Sequence, residues 1–218
     1  PTKGRGTQAA RLAQQIYKTT SGFDVELIVL AHPEEETKKA FDSLPKTVKD
    51  ILNLEYLECR AIDGYQIGTG KAKGTHLLAM EDDAWPHPDW LAITMKKFDE
   101  IPDGYGYVKL PSDSKDWWAE RAVAPRKYFW DVLGGVICVP HYITVYDDVE
   151  KSTRAKEAGL LFEATGAYVE HRTHVYGKAP IDKTYQEGGL TWWQVDRQTF
   201  LDRQSKGFPT DYPPSLKF

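Results

Sequence analysis

Only two cysteines, Cys59 and Cys138, occur among the 218 residues. They stand far apart and match no metal or redox spacing, which excludes a disulfide framework, a zinc ribbon and a CxxC redox centre. Two reduced thiols suit a cytoplasmic protein, and that location is the expectation. No apolar run approaches the roughly 18 residues of a membrane-spanning helix, and no signal-peptide pattern is visible. The chain opens at Pro1 rather than at a methionine, which leaves room for upstream residues. Neither charge sign dominates: 28 basic residues face 32 acidic ones, a net charge of −4. Nonspecific binding to DNA needs Lys/Arg clusters that release counterions, so tight duplex binding is not expected. No repeat or low-complexity linker divides the chain, and its length fits a single domain over 1–218.

Hydrophobic residues make up 41% of the chain, enough for a substantial core. Seven Trp and twelve Tyr include the pairs Trp117-Trp118 and Trp192-Trp193. Core packing explains most aromatics, but sugars also present apolar C–H faces to them. Apolar runs at 25–30, 56–62, 76–80, 105–110, 135–139 and 167–170 read as strands. Helical patterns fall over 7–19, after Pro33, over 86–98, over 147–158 with Gly159 as its stop, and over 190–204. The glycine-rich stretch 63–74 reads as a turn. Strands alternating with helices through the first half predict an α/β fold with a mainly parallel central sheet flanked by helices. Ligands of such folds gather at the carboxyl ends of strands.

Glu81-Asp82-Asp83 stands at such an end. Three adjacent acids repel one another, and a divalent cation would relieve that; a solvated turn is the ordinary alternative. Mg2+ and Mn2+ prefer carboxylate oxygens and commonly share themselves with substrate phosphates.

The residues around the triplet are more specific. His76-Leu77-Leu78-Ala79-Met80-Glu81-Asp82-Asp83, then Pro88-Asp89-Trp90-Leu91, resembles the DxD region of glycosyltransferases with the GT-A (Rossmann-like) fold, family 2 in particular. Three further blocks keep the family's order. Pro1-Thr2-Lys3-Gly4-Arg5 resembles the nucleotide-holding loop after the first strand. Gly68, with Ala72-Lys73-Gly74, resembles the glycine-containing segment before the DxD strand. Asp147-Asp148-Val149-Glu150, then Arg154, Gly159 and His171, resembles the Glu-Asp helix and a late His.

The resemblance implies a metal-dependent glycosyltransferase that moves a sugar, with inversion, from a UDP- or GDP-sugar to an acceptor hydroxyl. Asp148 would be the base, with Asp147 as the fallback. Asp83 and His171 would hold Mn2+ or Mg2+. Pro1, Thr2, Arg5, Gly68, Lys71, Glu81 and Asp82 would bind the donor; His174 and Lys73 are further candidates. Trp117, Trp118, Gly134 and Gly135 would meet the acceptor, which could be a glycan, a lipid-linked sugar, a protein or a modified base. Residues 1–110 would form the nucleotide-sugar half, and 111–218 the acceptor-binding and catalytic half. A nucleotidyltransferase and a noncatalytic nucleotide-sugar-binding module of the same fold are the competing readings.

Overall fold

The computed structural model describes residues 1–187 and 189–218. Helix α1, Gly6–Thr19, buries Ala9, Ala10, Leu12, Ala13 and Ile16 on one face. Strand β1, Leu27–Ala31, pairs in parallel with β2, Leu52–Tyr56. Between them lie α2, Glu35–Asp42, and α3, Lys46–Lys49. Glu35 and Glu36 occupy the first turn of α2, where negative charge complements the helix dipole. These elements close on a small core of Ala9, Ala13, Ala31, Phe41, Leu44 and Val48.

The stretch read as a glycine-rich turn is instead helix α4, Ala61–Lys71. Glycine is a poor helix former, by about 1 kcal/mol against alanine. Packing overrides that preference here. A Cβ on Gly64 would lie 2.8 Å from the Pro1 ring, and one on Gly68 3.5 Å from Ile28. The glycines let α4 lie close against β1 and the amino terminus.

The remaining strands are β3, His76–Leu77; β4, Ala84–Pro86; β5, Tyr107–Lys109; β6, Ala122–Pro125; β7, Leu161–Glu163; and β8, Val169–His171. They form a sheet of order β3-β6-β5-β7 and a separate β4-β8 pair. Helices α5, Trp90–Glu100, α6, Arg126–Leu133, and α7, Asp147–Glu157, pack around them. Among the described residues the β1-β2 and β5-β7 strand pairings are parallel and the other three are antiparallel. The architecture is therefore mixed α/β, with no mainly parallel sheet evident in the pairing. The physical reason lies in the connections: no helix separates β5 from β6, and without a crossover the chain returns antiparallel.

The segment 135–139, expected as a strand, forms none. Its apolar residues are buried, but side chains replace the ladder: Gln66 Oε1 accepts from the Ile137 N–H at 3.0 Å and Asp147 Oδ1 from Val139 N–H at 2.5 Å.

Helices α8, Lys183–Glu187, and α9, Gly189–Ser205, complete the chain. The tail grips the approach to α7. The fully buried Asp196 accepts from the backbone N–H groups of Ile143, Thr144 and Val145 at 2.8–2.9 Å. Arg203 reaches the fully buried Glu150 of α7 through Nε and Nη2, at 2.8 and 2.9 Å. Tyr146, just ahead of α7, has φ +69°, a left-handed conformation costly for a bulky residue. Its ring packs against Trp193 and Phe200 of α9. Among the described residues no helix is long and apolar enough to cross a membrane.

Candidate active site

The acid cluster comes just after β3 and is met by cations from distant parts of the chain. Glu81 Oε2 lies 2.6 Å from Nε of the buried Arg121. Asp82 accepts from the Thr2 hydroxyl at 2.7 Å and from Arg5 Nη1 at 3.2 Å. Asp83, 5% exposed, accepts from Arg5 Nη1 at 3.4 Å and from the Tyr185 hydroxyl at 2.8 Å through Oδ2. Its Oδ1 lies 3.5 Å from His171 Nε2 and 4.0 Å from Arg121 Nη2. Arg5 also forks onto Asp182, at 2.8 and 2.9 Å, and stacks on the Tyr185 ring. The expected donor residues Thr2, Arg5, Glu81 and Asp82 thus converge, and Asp83 and His171 meet beside them. Arg5 is a partner of the acids rather than a free cation.

These contacts set the charges. Burial pushes the Asp83 carboxyl up, but hydrogen bonding and charge from His171, with Tyr185 and Arg121, outweigh it and hold the group at about 2. Burial likewise opposes ionisation of Glu120, yet His171, Ser112 and Tyr176 hold it at about 2. Burial would lower the His171 pKa; Asp83 and Glu120 raise it to about 9. For Asp82 burial prevails over Thr2 and Arg5, and its pKa rises.

Asp83 and His171 are of the donor types that a divalent ion takes. Asp83 Oδ1 and His171 Nδ1 are buried and make no hydrogen bond of good geometry among the described residues; Oδ1 faces His171 Nε2 at 3.5 Å and Arg121 Nη2 at 4.0 Å, and Nδ1 faces Glu120 Oε1 at 3.3 Å, so a bound ion would replace the His171–Asp83 contact and need the neutral imidazole. One carboxylate and one imidazole would leave the rest of the shell to phosphate oxygens and water. No group of three or more His, Cys, Asp or Glu side chains offers a complete metal cage among the described residues. A cavity of about 400 Å3 opens beside the acids, lined by Gly4, Arg5, Arg11, Trp85, Arg172 and Lys178 among others.

Asp147 and Asp148 begin α7 and differ sharply. Asp147 Oδ1 accepts from Val139 N–H, and Oδ2 lies 2.5 Å from Lys151 Nζ. The half-buried Asp148 accepts only from the next N–H, of Val149, at 2.9 Å, with no cation paired to it among the described residues. Burial, then repulsion from Asp147, raises its pKa to about 7, against a smaller opposing pull from Lys151. Arg154 stays away from any open site: it donates to the Val132 carbonyl and lies 3.5 Å from Glu150.

The other candidates are more scattered. Lys71 is paired with Glu55 at 2.5 Å, and the Lys73 N–H donates to Glu26. Pro1 and Gly68 line a second cavity, between β1 and β3. Trp117 is exposed, with Lys156 over its ring, and meets Trp118 edge to face. Gly134 and Gly135 end α6 at φ +72° and +87°. Cβ atoms there would lie 2.7 Å from Thr210 and from the Trp130 ring, so both glycines serve close packing within the protein. His174 stacks on Tyr185. Sequence reasoning missed Glu120, Arg121, Asp182 and Tyr185; no local motif marks them, and only the fold brings them to the cluster.

No protein-family model and no curated protein matches the chain. Among solved structures it is similar to the mannosyltransferase PcManGT from Pyrobaculum calidifontis in complex with GDP-Man and Mn2+, at TM-score 0.67 and 19% identity. The match covers 100% of this chain and 65% of that one, so the chain spans about two thirds of its neighbour's length. At that identity the likeness is one of fold.

Proposed function

We propose that the protein is a GT-A-type, family-2-like glycosyltransferase, one domain in which residues 1–110 chiefly bind a nucleotide-diphosphate sugar and 111–218 supply the acceptor side and the base. The observation that carries the reading is the contrast between two acid sites: Glu81-Asp82-Asp83, met by arginines and His171, and Asp148, paired with no cation among the described residues and raised to about 7 by burial and by Asp147. A single displacement needs both. Asp83 and His171 would hold Mn2+ or Mg2+, which supplies charge neutralisation at a leaving diphosphate. A sugar hydroxyl is a poor nucleophile at neutral pH, and a base works best with a pKa near the working pH. Asp148 suits that role: it would accept the acceptor's proton as the new glycosidic bond forms, giving inversion. The solved mannosyltransferase complex with GDP-Man and Mn2+ supports a GDP-sugar as the first donor to try.

A noncatalytic nucleotide-sugar-binding module is favoured by one observation: Arg5 and Arg121 already offset the three acids. The test is a screen of UDP- and GDP-sugars with Mn2+, tracking release of the nucleoside diphosphate. Metal-dependent release supports the enzyme; tight donor binding without release, across acceptor classes, supports the module.

A further inference from the structure

Helix α9 is turned inside out. Among its described residues the buried side chains are charged, Asp196 and Arg203, while Trp192, Trp193, Val195 and Leu201 are exposed. A helix docked by the hydrophobic effect shows the reverse pattern. Burying charge is costly unless each group finds partners, so α9 is held by specific hydrogen bonds more than by apolar area.

Those partners bracket Asp148. Asp196 Oδ1 accepts from Ile143 N–H at 2.9 Å, and Oδ2 from Thr144 and Val145 N–H at 2.8 and 2.9 Å. Three successive N–H groups turned onto one carboxylate curl the backbone around it. The next residue is Tyr146, left-handed at φ +69°, with its ring against Trp193 and Phe200. A left-handed tyrosine is strained and persists only where its surroundings over-determine it. Asp147 and Asp148 follow, and beyond them Arg203 forks onto Glu150. Trp193, Asp196, Phe200 and Arg203 recur at helical spacing along α9 and form one stripe. A single face of α9 therefore holds the chain on both sides of Asp148.

The Asp148 carboxyl accepts only from the next N–H, of Val149, so its place is inherited from the backbone of the first turn of α7. The charges that act most on it, from Asp147, Lys151 and Glu81, lie on α7 and after β3. None of these is on α9, so a change at Asp196 reaches Asp148 through the backbone.

We infer that Asp196 is a positioning residue for Asp148. By gathering the N–H groups of 143–145 it sets the turn at Tyr146. With Arg203 on Glu150, it fixes the direction in which α7 presents the Asp148 carboxyl. A slip of α9 by one turn would leave both charges buried and unpaired, so the clamp has one register. The catalytic consequence rests on Asp148 being the base; the placement of its carboxyl does not.

Asp196→Asn puts an amide N–H2 where an acceptor oxygen met a backbone donor. Arg203→Lys keeps the charge but cannot fork. Val48→Ala, in the small core beneath α1, is the control for plain loss of stability. The Asp148 carboxyl is titrated by NMR of its carboxyl carbon in the donor-free protein, beside kcat and KM for release of the nucleoside diphosphate. Loosening the first turn of α7 admits water, so in both α9 variants the titration midpoint should fall by about one unit or more, toward the ordinary carboxylate range. In the same variants kcat should drop about 10- to 100-fold, with donor KM within about twofold. Val48→Ala should lose thermal stability and leave the Asp148 midpoint where it was. An unmoved midpoint in both α9 variants overturns the inference, as does an equal shift in Val48→Ala. If the midpoint moves while Asp148→Asn stays active, the base reading fails and the positioning stands.

Discussion

Asp83, in the acid cluster at 81–83, and Asp148, beside Asp147 at the start of α7, are chemically alike and held in opposite ways. The first group is surrounded by Arg5, Arg121, His171 and Tyr185, and Asp83 is held at about 2. The second sits at a helix start that ordinarily favours anions, yet Asp148 is raised to about 7 because burial outweighs that help. Partners, more than residue type, decide whether a carboxylate is a fixed charge or a proton acceptor.

The largest way to break this contrast is Asp148→Asn. Turnover, measured as nucleoside diphosphate release with Mn2+, should fall by about 10² to 10⁴. Donor affinity by calorimetry should stay within about twofold, since the donor does not need the base. Near-normal turnover in that variant removes Asp148 from the mechanism, and a product retaining the donor's anomeric configuration removes the single displacement.

Next comes Asp83→Ala. Mn2+-dependent donor affinity should drop at least tenfold, about 1.4 kcal/mol, while circular dichroism shows the fold intact. Unchanged affinity would show that the cluster is only an internal ion-pair network.

Asp147→Asn tests the other half of the pair. It loosens Asp147's links to Val139 and Lys151 and should lower stability by about 1–3 kcal/mol, with a smaller loss of turnover than at Asp148. If Asp147→Asn is dead and Asp148→Asn active, the base moves by one residue.

The smallest effect is on stability against pH. The folded pKa of Asp148 is raised from 3.8 to about 7, so the folded state holds this proton more tightly than the unfolded chain. Stability from this group is present below pH 4 and is lost as pH rises toward 7. Asp148→Asn should therefore gain roughly 1–3 kcal/mol over the parent above pH 7, and nothing below pH 4, in urea titrations. A gain confined to low pH would reverse the sign and contradict the burial of this carboxyl.

Helix α7 was legible almost to the residue, since acids at its start and Gly159 past its end are local signals. Strand β1 was legible for the same reason: its apolar run is continuous. Helix α4 was not, because its glycines serve contacts with Pro1 and Ile28 that no local pattern records. Strands β6 and β7 are three to four residues long, too short for a period to show. At the site the acids could be read and their partners could not. Arg5 and Asp182 lie 177 positions apart, a pairing that belongs to the tertiary fold alone.

The grip of α9 on α7 has a consequence for how the protein is made. Glu150 is fully buried and its hydrogen-bonded guanidinium is that of Arg203, with Arg154 farther off at 3.5 Å, while the N–H groups just ahead of α7 wait for Asp196. A ribosome delivers the chain from its amino end at roughly 5–20 residues per second. For several seconds the segment bearing Asp148 is outside the tunnel with a carboxylate it cannot bury and a left-handed Tyr146 it cannot hold. The acid pair is set only once α9 has emerged, so a chain that stops short of Arg203 carries the sequence of the site without its arrangement.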